Sequence, residues 1–147
     1  MPVSRLRIAA VLICLPLFAA ACGGDGDSTP TSPSTSSAPY SQTDLVVGTG
    51  AEATAGRLVT VSYTGWLYDT SRTDSKGTQF DSGTTQATQI GVGRFITGFD
   101  RGVVGMRVGG RRRVIIPPDL GYGAAGRAPS IPGNATLLFE MELLSVQ

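Results

Sequence analysis

The stretch "ATLLFEMELLSV" (Ala135–Val146) sets Leu137, Phe139, Met141 and Leu143 on one side and Thr136, Leu138, Glu140 and Glu142 on the other. A period of two sustained over that length is a strand with one buried face, because helical geometry would scatter the same residues around the axis. "RLVTVSYTGWLYD" (Arg57–Asp69) repeats the pattern, with Val59, Val61 and Tyr63 alternating with Thr60, Ser62 and Thr64. A third strand runs through "RRRVII" (Arg111–Ile116) and stops at Pro117 and Pro118, which have no N–H to donate to a ladder. "DLVV" and "TQATQIGV" are weaker strand candidates.

Only "TGFDRGVVGM" has helical spacing: Ile96, Phe99, Val103 and Met106 recur on one side, and Thr97 with Asp100 fits a capping box. Its glycines keep it short. Several strands with one short helix predict an α+β domain, a curved antiparallel sheet of five or six strands wrapped around the helix.

The 147 residues carry a formal net charge of +1, which gives no electrostatic bias toward nucleic acid. Arg111, Arg112 and Arg113 do not reverse this, since alternation sends neighbours to opposite faces; they read as a solvated strand entrance, and no nucleic-acid partner is expected. With no His and two Cys, His-based triads, His metal sites and Cys2His2 fingers are excluded, and neither a metal nor a cofactor is expected.

The opening "MPVSRLRIAAVLICLPLFAAACGG" places Arg5 and Arg7 before an apolar run, Ile8 to Ala21, that is shorter than the roughly 20 residues a membrane span needs. It reads as an export signal. "FAAAC" resembles the lipobox of bacterial lipoproteins, which implies that Cys22 is lipidated; the alternative is a simple secretory signal that leaves Cys22 as a spare thiol. Cys14 would leave with the signal, so no internal disulfide is expected. From Gly23 to about Ser41 there is too little apolar surface to offset ordering entropy, and the segment reads as a tether. The expected organisation is a signal peptide (1–21), lipidated Cys and tether (22–42), and a globular domain (43–147). The protein is then exported and held at the bacterial envelope by a lipid, and Gly23 after the Cys permits outer-membrane sorting in a double-membrane bacterium.

"VSYTGWLYD", "QFDSG", "RFITGFDRGVVGMRVGGRRRVIIPPDLGYG" and "IPGNATLLFEMELL" resemble, in order, successive blocks of the FKBP-type peptidyl-prolyl cis-trans isomerases over nearly the whole domain. The resemblance implies an aromatic pocket between sheet and helix. Residue by residue, it implies pocket positions for Tyr63, Phe80, Asp81, Phe99, Tyr122 and Phe139 as catalytic residues, and for Phe95, Ile96 and Ile131 as substrate-binding ones. It also implies that the Tyr122 hydroxyl and the Ile131 backbone hydrogen-bond the ligand, with Asp81 at the pocket edge. The implied partners are proline-containing polypeptides and macrolide inhibitors, met by a monomer that assists folding of exported proteins. A module of the same shape that binds proline segments, or acts as a chaperone, with little turnover is the alternative.

Considered alone, Tyr63 and Phe139 would be core residues and Asp81 would start a turn. The sequence departs from the family pattern where "GTTQATQIG" has Gln86 and no aromatic, and where Phe99 stands in place of a common Trp. "DTSRTDSKGTQ" is longer than in minimal members and reads as an exposed loop. "LGYGAAGRAPSIPG" (Leu120–Gly133), poor in reactive groups, becomes the expected pocket rim, with glycines for tight turning and Pro129 and Pro132 for stiffness.

Overall fold

The computed structural model describes residues 36–147. The expected signal peptide, Cys14, Cys22 and most of the tether lie outside them. Six antiparallel strands form one sheet: β1 (Ser41–Val46), β2 (Leu58–Tyr68), β3 (Lys76–Thr84), β4 (Thr88–Gln89), β5 (Arg111–Ile116) and β6 (Leu137–Val146). The order is β1-β5-β6-β2-β3, with β4 also pairing β2, so the sheet is open and its longest strands lie at the centre. One short helix, α1 (Thr97–Val103), packs on β5. The α+β fold expected from the alternation is the one observed.

The inward residues of each central strand make the core. Val59 and Val61 of β2, Val114 and Ile116 of β5, and Leu137, Phe139, Met141 and Leu143 of β6 are buried together with Phe99 and Val103 of α1. Leu138 points to the opposite face yet is buried too, flanked by Trp66 and Ile115 on the adjacent strands. The helix can sit this close because it presents glycines to the sheet. A Cβ on Gly98 would collide with the Ile116 side chain, and one on Gly102 would lie 2.7 Å from Val114 Cγ2.

The capping box does not form. The backbone carbonyl of Ile96, the N-cap residue, accepts from Phe99 N–H (3.0 Å) and Asp100 N–H (3.1 Å), while the Asp100 carboxylate accepts from Gly93 N–H (3.1 Å). Asp100 is turned inward and braces the preceding loop instead of closing back on Thr97. The other end of the helix overturns the reading of the arginine triplet as solvated. Arg112 is buried; its Nη1 donates to the carbonyls of Gly102 (2.9 Å) and Val104 (3.1 Å), and its guanidinium pairs with Asp44 of β1. A cation at the helix C-terminus meets both the unpaired carbonyls and the negative end of the dipole. Arg113, one position along, faces the other way and pairs with Glu140 at 2.8 Å. Lys76 reaches the same carboxylate at 3.0 Å. Burial pushes the Glu140 carboxyl up, but hydrogen bonds from Arg113 and Lys76 outweigh it and hold the group below its usual value.

Other boundaries also move. The expected loop through Gln79 shortens to 69–75, because Lys76–Gln79 join β3, where Lys76 pairs with Tyr68 and Gln79 with Trp66. Lys76 Nζ lies 4.5 Å from the Trp66 ring centroid, which gives that polar stretch a partner. "TQATQIGV" contributes only β4, and "DLVV" belongs to a strand that begins at Ser41, two residues before the expected domain start, with Ser41 paired to Ile115 and Gln42 to Val114.

Replacing Gly98 by Ala should destabilise the domain by about 1–3 kcal/mol, because overpacking against a buried Ile outweighs the gain in helix propensity. Denaturant titration against the parent chain measures it; unchanged stability would contradict the close helix–sheet contact.

Candidate active site

Three strands, the helix and the loop before it deliver aromatic side chains to one place. Tyr63 lies on the inward face of β2, Phe80 on β3 and Phe139 on β6, while Phe99 comes from the first turn of α1 and Phe95 from the loop just before it. Phe99 and Phe139 meet edge to face at 5.5 Å between centroids, Tyr63 and Phe99 at 5.6 Å, and Phe80 and Phe139 at 5.4 Å. Such T-shaped contacts bring the electropositive edge of one ring to the face of the next, so the cluster is held more tightly than burial alone would hold it. Gly65 makes room for it. It pairs with Phe139 across the ladder, and a Cβ there would lie 2.6 Å from Phe80 and 2.8 Å from Phe139. Gly65 stands in a quoted motif, but its role appears only when β3 and β6 are placed on either side of β2.

Above the rings is a cavity of about 560 Å³ lined by Tyr63, Asp81, Phe95, Ile96, Phe99, Tyr122 and Phe139, together with Arg94 and Arg127. Phe99 and Phe139 are buried at its base, and Tyr122 is half-buried in the loop from Leu120 to Gly133. Phe80 and Ile131 are not in its wall. They line a smaller neighbouring cavity of about 250 Å³ with Ala128, Pro129 and Ser130, and Asp81 and Arg127 belong to both. The expected single pocket is therefore two, joined at an acid and a base. Gln86 is exposed and lines neither; the aromatic wall beside Phe99 is made by Phe95, whose ring centroid is 4.9 Å away.

Polar groups ring the space above the apolar base: Tyr63, Asp81, Tyr122, Arg94 and Arg127. The Tyr63 hydroxyl donates to Asp81 Oδ2 at 3.2 Å, and Asp81 Oδ1 accepts from Ser82 N–H at 2.9 Å. Burial pushes the Tyr63 phenol above its ordinary value, and the Asp81 charge and hydrogen bond add to the shift. One expectation is corrected. Ile131 N–H donates to Arg127 O at 2.9 Å and Ile131 O accepts from Arg127 N–H at 2.8 Å, so that backbone closes the loop on itself. Its N–H is already used. Ile96 N–H, at the wall of the larger cavity, has no acceptor among the described residues.

Comparison with known proteins agrees with this geometry. Residues 50–144 match the model of the FKBP-type peptidyl-prolyl cis-trans isomerases. The FK506-binding protein of Neisseria meningitidis is 46% identical over 107 residues, which is 70% of this chain and 92% of the relative. The chain belongs to the FKBP family of peptidyl-prolyl cis-trans isomerases.

FK506-binding protein 1A of Aspergillus fumigatus is 50% identical to this isomerase over 91 residues, 62% of this chain and 79% of the relative. Among solved structures, a peptidyl-prolyl cis-trans isomerase from Pseudomonas syringae superposes with a TM-score of 0.61 at 33% identity, covering 74% of this chain and 75% of that one. AtFKBP13 gives 0.62 at 33% identity, covering 77% and 98%. The matched span holds every cavity residue named above. Arg94 and Arg127 were missed by the sequence reading because neither is apolar or a recognisable acid–base candidate; only the fold shows that they face the pocket.

Because Tyr63 ionises above its usual range, kcat/KM for an uncharged proline peptide should stay level from about pH 7 to about pH 9. A decline within that interval that is removed by Tyr63→Phe would show that the phenol titrates there.

Proposed function

We propose that this chain rotates X-Pro bonds in exported polypeptides, acting as a folding catalyst held at the bacterial envelope by lipid on Cys22. The observation that carries the catalytic part is the composition of the larger cavity, an aromatic base with a handful of orienting polar groups. Rotation about an X-Pro bond breaks no covalent bond; it must overcome lost amide resonance, against a barrier of about 18–20 kcal/mol for a peptide bond. The planar amide is the more polar form, because resonance places charge on its oxygen. Seating the proline against Phe99, Phe139 and Tyr63 disfavours that form relative to the twisted one, so binding is stronger where the barrier lies.

Tyr122 and the Ile96 N–H, which has no acceptor among the described residues, are the groups suited to hold the backbone of the bound segment while the bond turns, and the Tyr63–Asp81 pair fixes the edge. Their role is positioning and electrostatics, with no proton transferred. The same apolar base and N–H suit FK506-type macrolides, the ligands for which several relatives are named. Export and anchoring rest on Arg5 and Arg7, the apolar run and the "FAAAC" match.

The full chain should accelerate cis–trans relaxation of a proline test peptide, and Tyr122→Phe should lower kcat/KM by roughly tenfold, the worth of one hydrogen bond made in the transition state. A folded protein that binds the peptide without accelerating it would be a binding module instead. For the anchor, Cys22→Ala should move the protein from the membrane to the soluble fraction; unchanged fractionation removes the lipid from the proposal.

A further inference from the structure

The larger cavity has an apolar base, but its rim is charged, and the balance is uneven. Arg94 enters from the loop before α1 and Arg127 from the loop between β5 and β6, against one carboxylate, Asp81. That carboxylate is occupied: Oδ2 takes the Tyr63 hydroxyl and Oδ1 the Ser82 N–H. Neither arginine has a carboxylate within 4.0 Å among the described residues, unlike Arg72, Arg107, Arg112 and Arg113; Arg57, Arg101 and Arg111 also lack one, but only Arg94 and Arg127 line the cavity. Arg127 is held in place by its own backbone, through the paired hydrogen bonds with Ile131, and its guanidinium carbon is 5.9 Å from the centre of the Tyr122 ring. It is also the residue, with Asp81, that both cavities share. A chain lying across the two cavities must pass it.

We propose that this rim makes the isomerase selective for proline segments carrying a carboxylate beside the proline, with Arg127 and Arg94 as the recognising groups. The proposal rests on the larger cavity being the peptide site. A glutamate or aspartate next to a seated proline can meet a planar guanidinium that has no carboxylate partner among the described residues, whereas a lysine in the same place meets two like charges. Both arginines are exposed, so the discrimination is screened by salt and is a matter of several-fold, not orders of magnitude.

The test uses the full chain and three peptide series identical except for Glu, Ala or Lys beside the proline, on its N-terminal side in one set and its C-terminal side in another. Relaxation rates and, separately, peptide affinities by fluorescence anisotropy are measured at low salt and at about 0.5 M salt. In at least one set the Glu peptide should exceed the Lys peptide by about fivefold or more in kcat/KM and in affinity at low salt, with the gap closing at high salt. Arg127→Gln combined with Arg94→Gln should remove the gap, and Arg127→Glu should reverse it, with thermal unfolding confirming that each variant is folded. Glu and Lys peptides equal within about twofold in both sets overturn the proposal while leaving isomerisation intact, because the Ala peptide is still turned over. Affinity differences without turnover support charge recognition and count against catalysis; no binding of any peptide overturns both.

Discussion

The near contact between helix and sheet is what the rest of this structure depends on. Gly98 and Gly102 put backbone, not side chain, against Ile116 and Val114, and a single added methyl group at either position would be in collision. That approach sets the height of Phe99 above the sheet, and hence its edge-to-face meeting with Phe139 and Tyr63. Had the helix stood a methyl group further out, the rings would part and the cavity base would lose its continuity. Arg112 secures the far end of the same helix by capping its last carbonyls and joining them to Asp44 on an edge strand. An arginine that reads as solvent-facing is in fact what ties helix, β5 and β1 together.

Stability and chemistry divide the molecule between two faces of one sheet. On the inner face the aliphatic residues of β2, β5 and β6 grade into the aromatic cluster, so the pocket base is a continuation of the core and inherits its rigidity. On the outer face Glu140 collects Lys76 and Arg113, and Lys76 also covers Trp66. The loop from Leu120 to Gly133 completes the site without joining the sheet. Gly126 has φ +63° and no room for a Cβ beside Ile131 and Pro132, which lets the chain double back so that Arg127 and Ile131 pair. A segment that looks chemically empty thereby brings a hydroxyl and a guanidinium to the pocket.

The strands were legible because alternation is a local property. The β5 bounds, the β2 and β6 cores and the single helix follow from the period of the apolar residues, and the family resemblance carried Tyr63, Asp81, Phe95, Ile96, Phe99, Tyr122 and Phe139 to residues that do gather at one cavity. What was misread depended on partners far away in sequence. Lys76–Gln79 look like loop until β2 supplies a ladder and Trp66 a surface; Asp100 looks like half of a capping box until Gly93 offers its N–H. The Ile131 N–H looked free to meet a ligand and is not, because Arg127 O lies across from it in the turn and accepts it.

The sequence by itself determined the α+β class, the buried and exposed faces of the long strands, the absence of histidine chemistry and the family, since each is written in residue types and their spacing. Only the tertiary structure decided that the site is two cavities sharing Asp81 and Arg127, that Arg112 is buried, and that Arg94 and Arg127 stand at the rim without carboxylate partners among the described residues. The reason is physical: periodicity tells which way a side chain points from its own strand, but what it meets there is set by elements tens of residues away, brought within a few ångströms only when the sheet has formed and the helix has settled onto it.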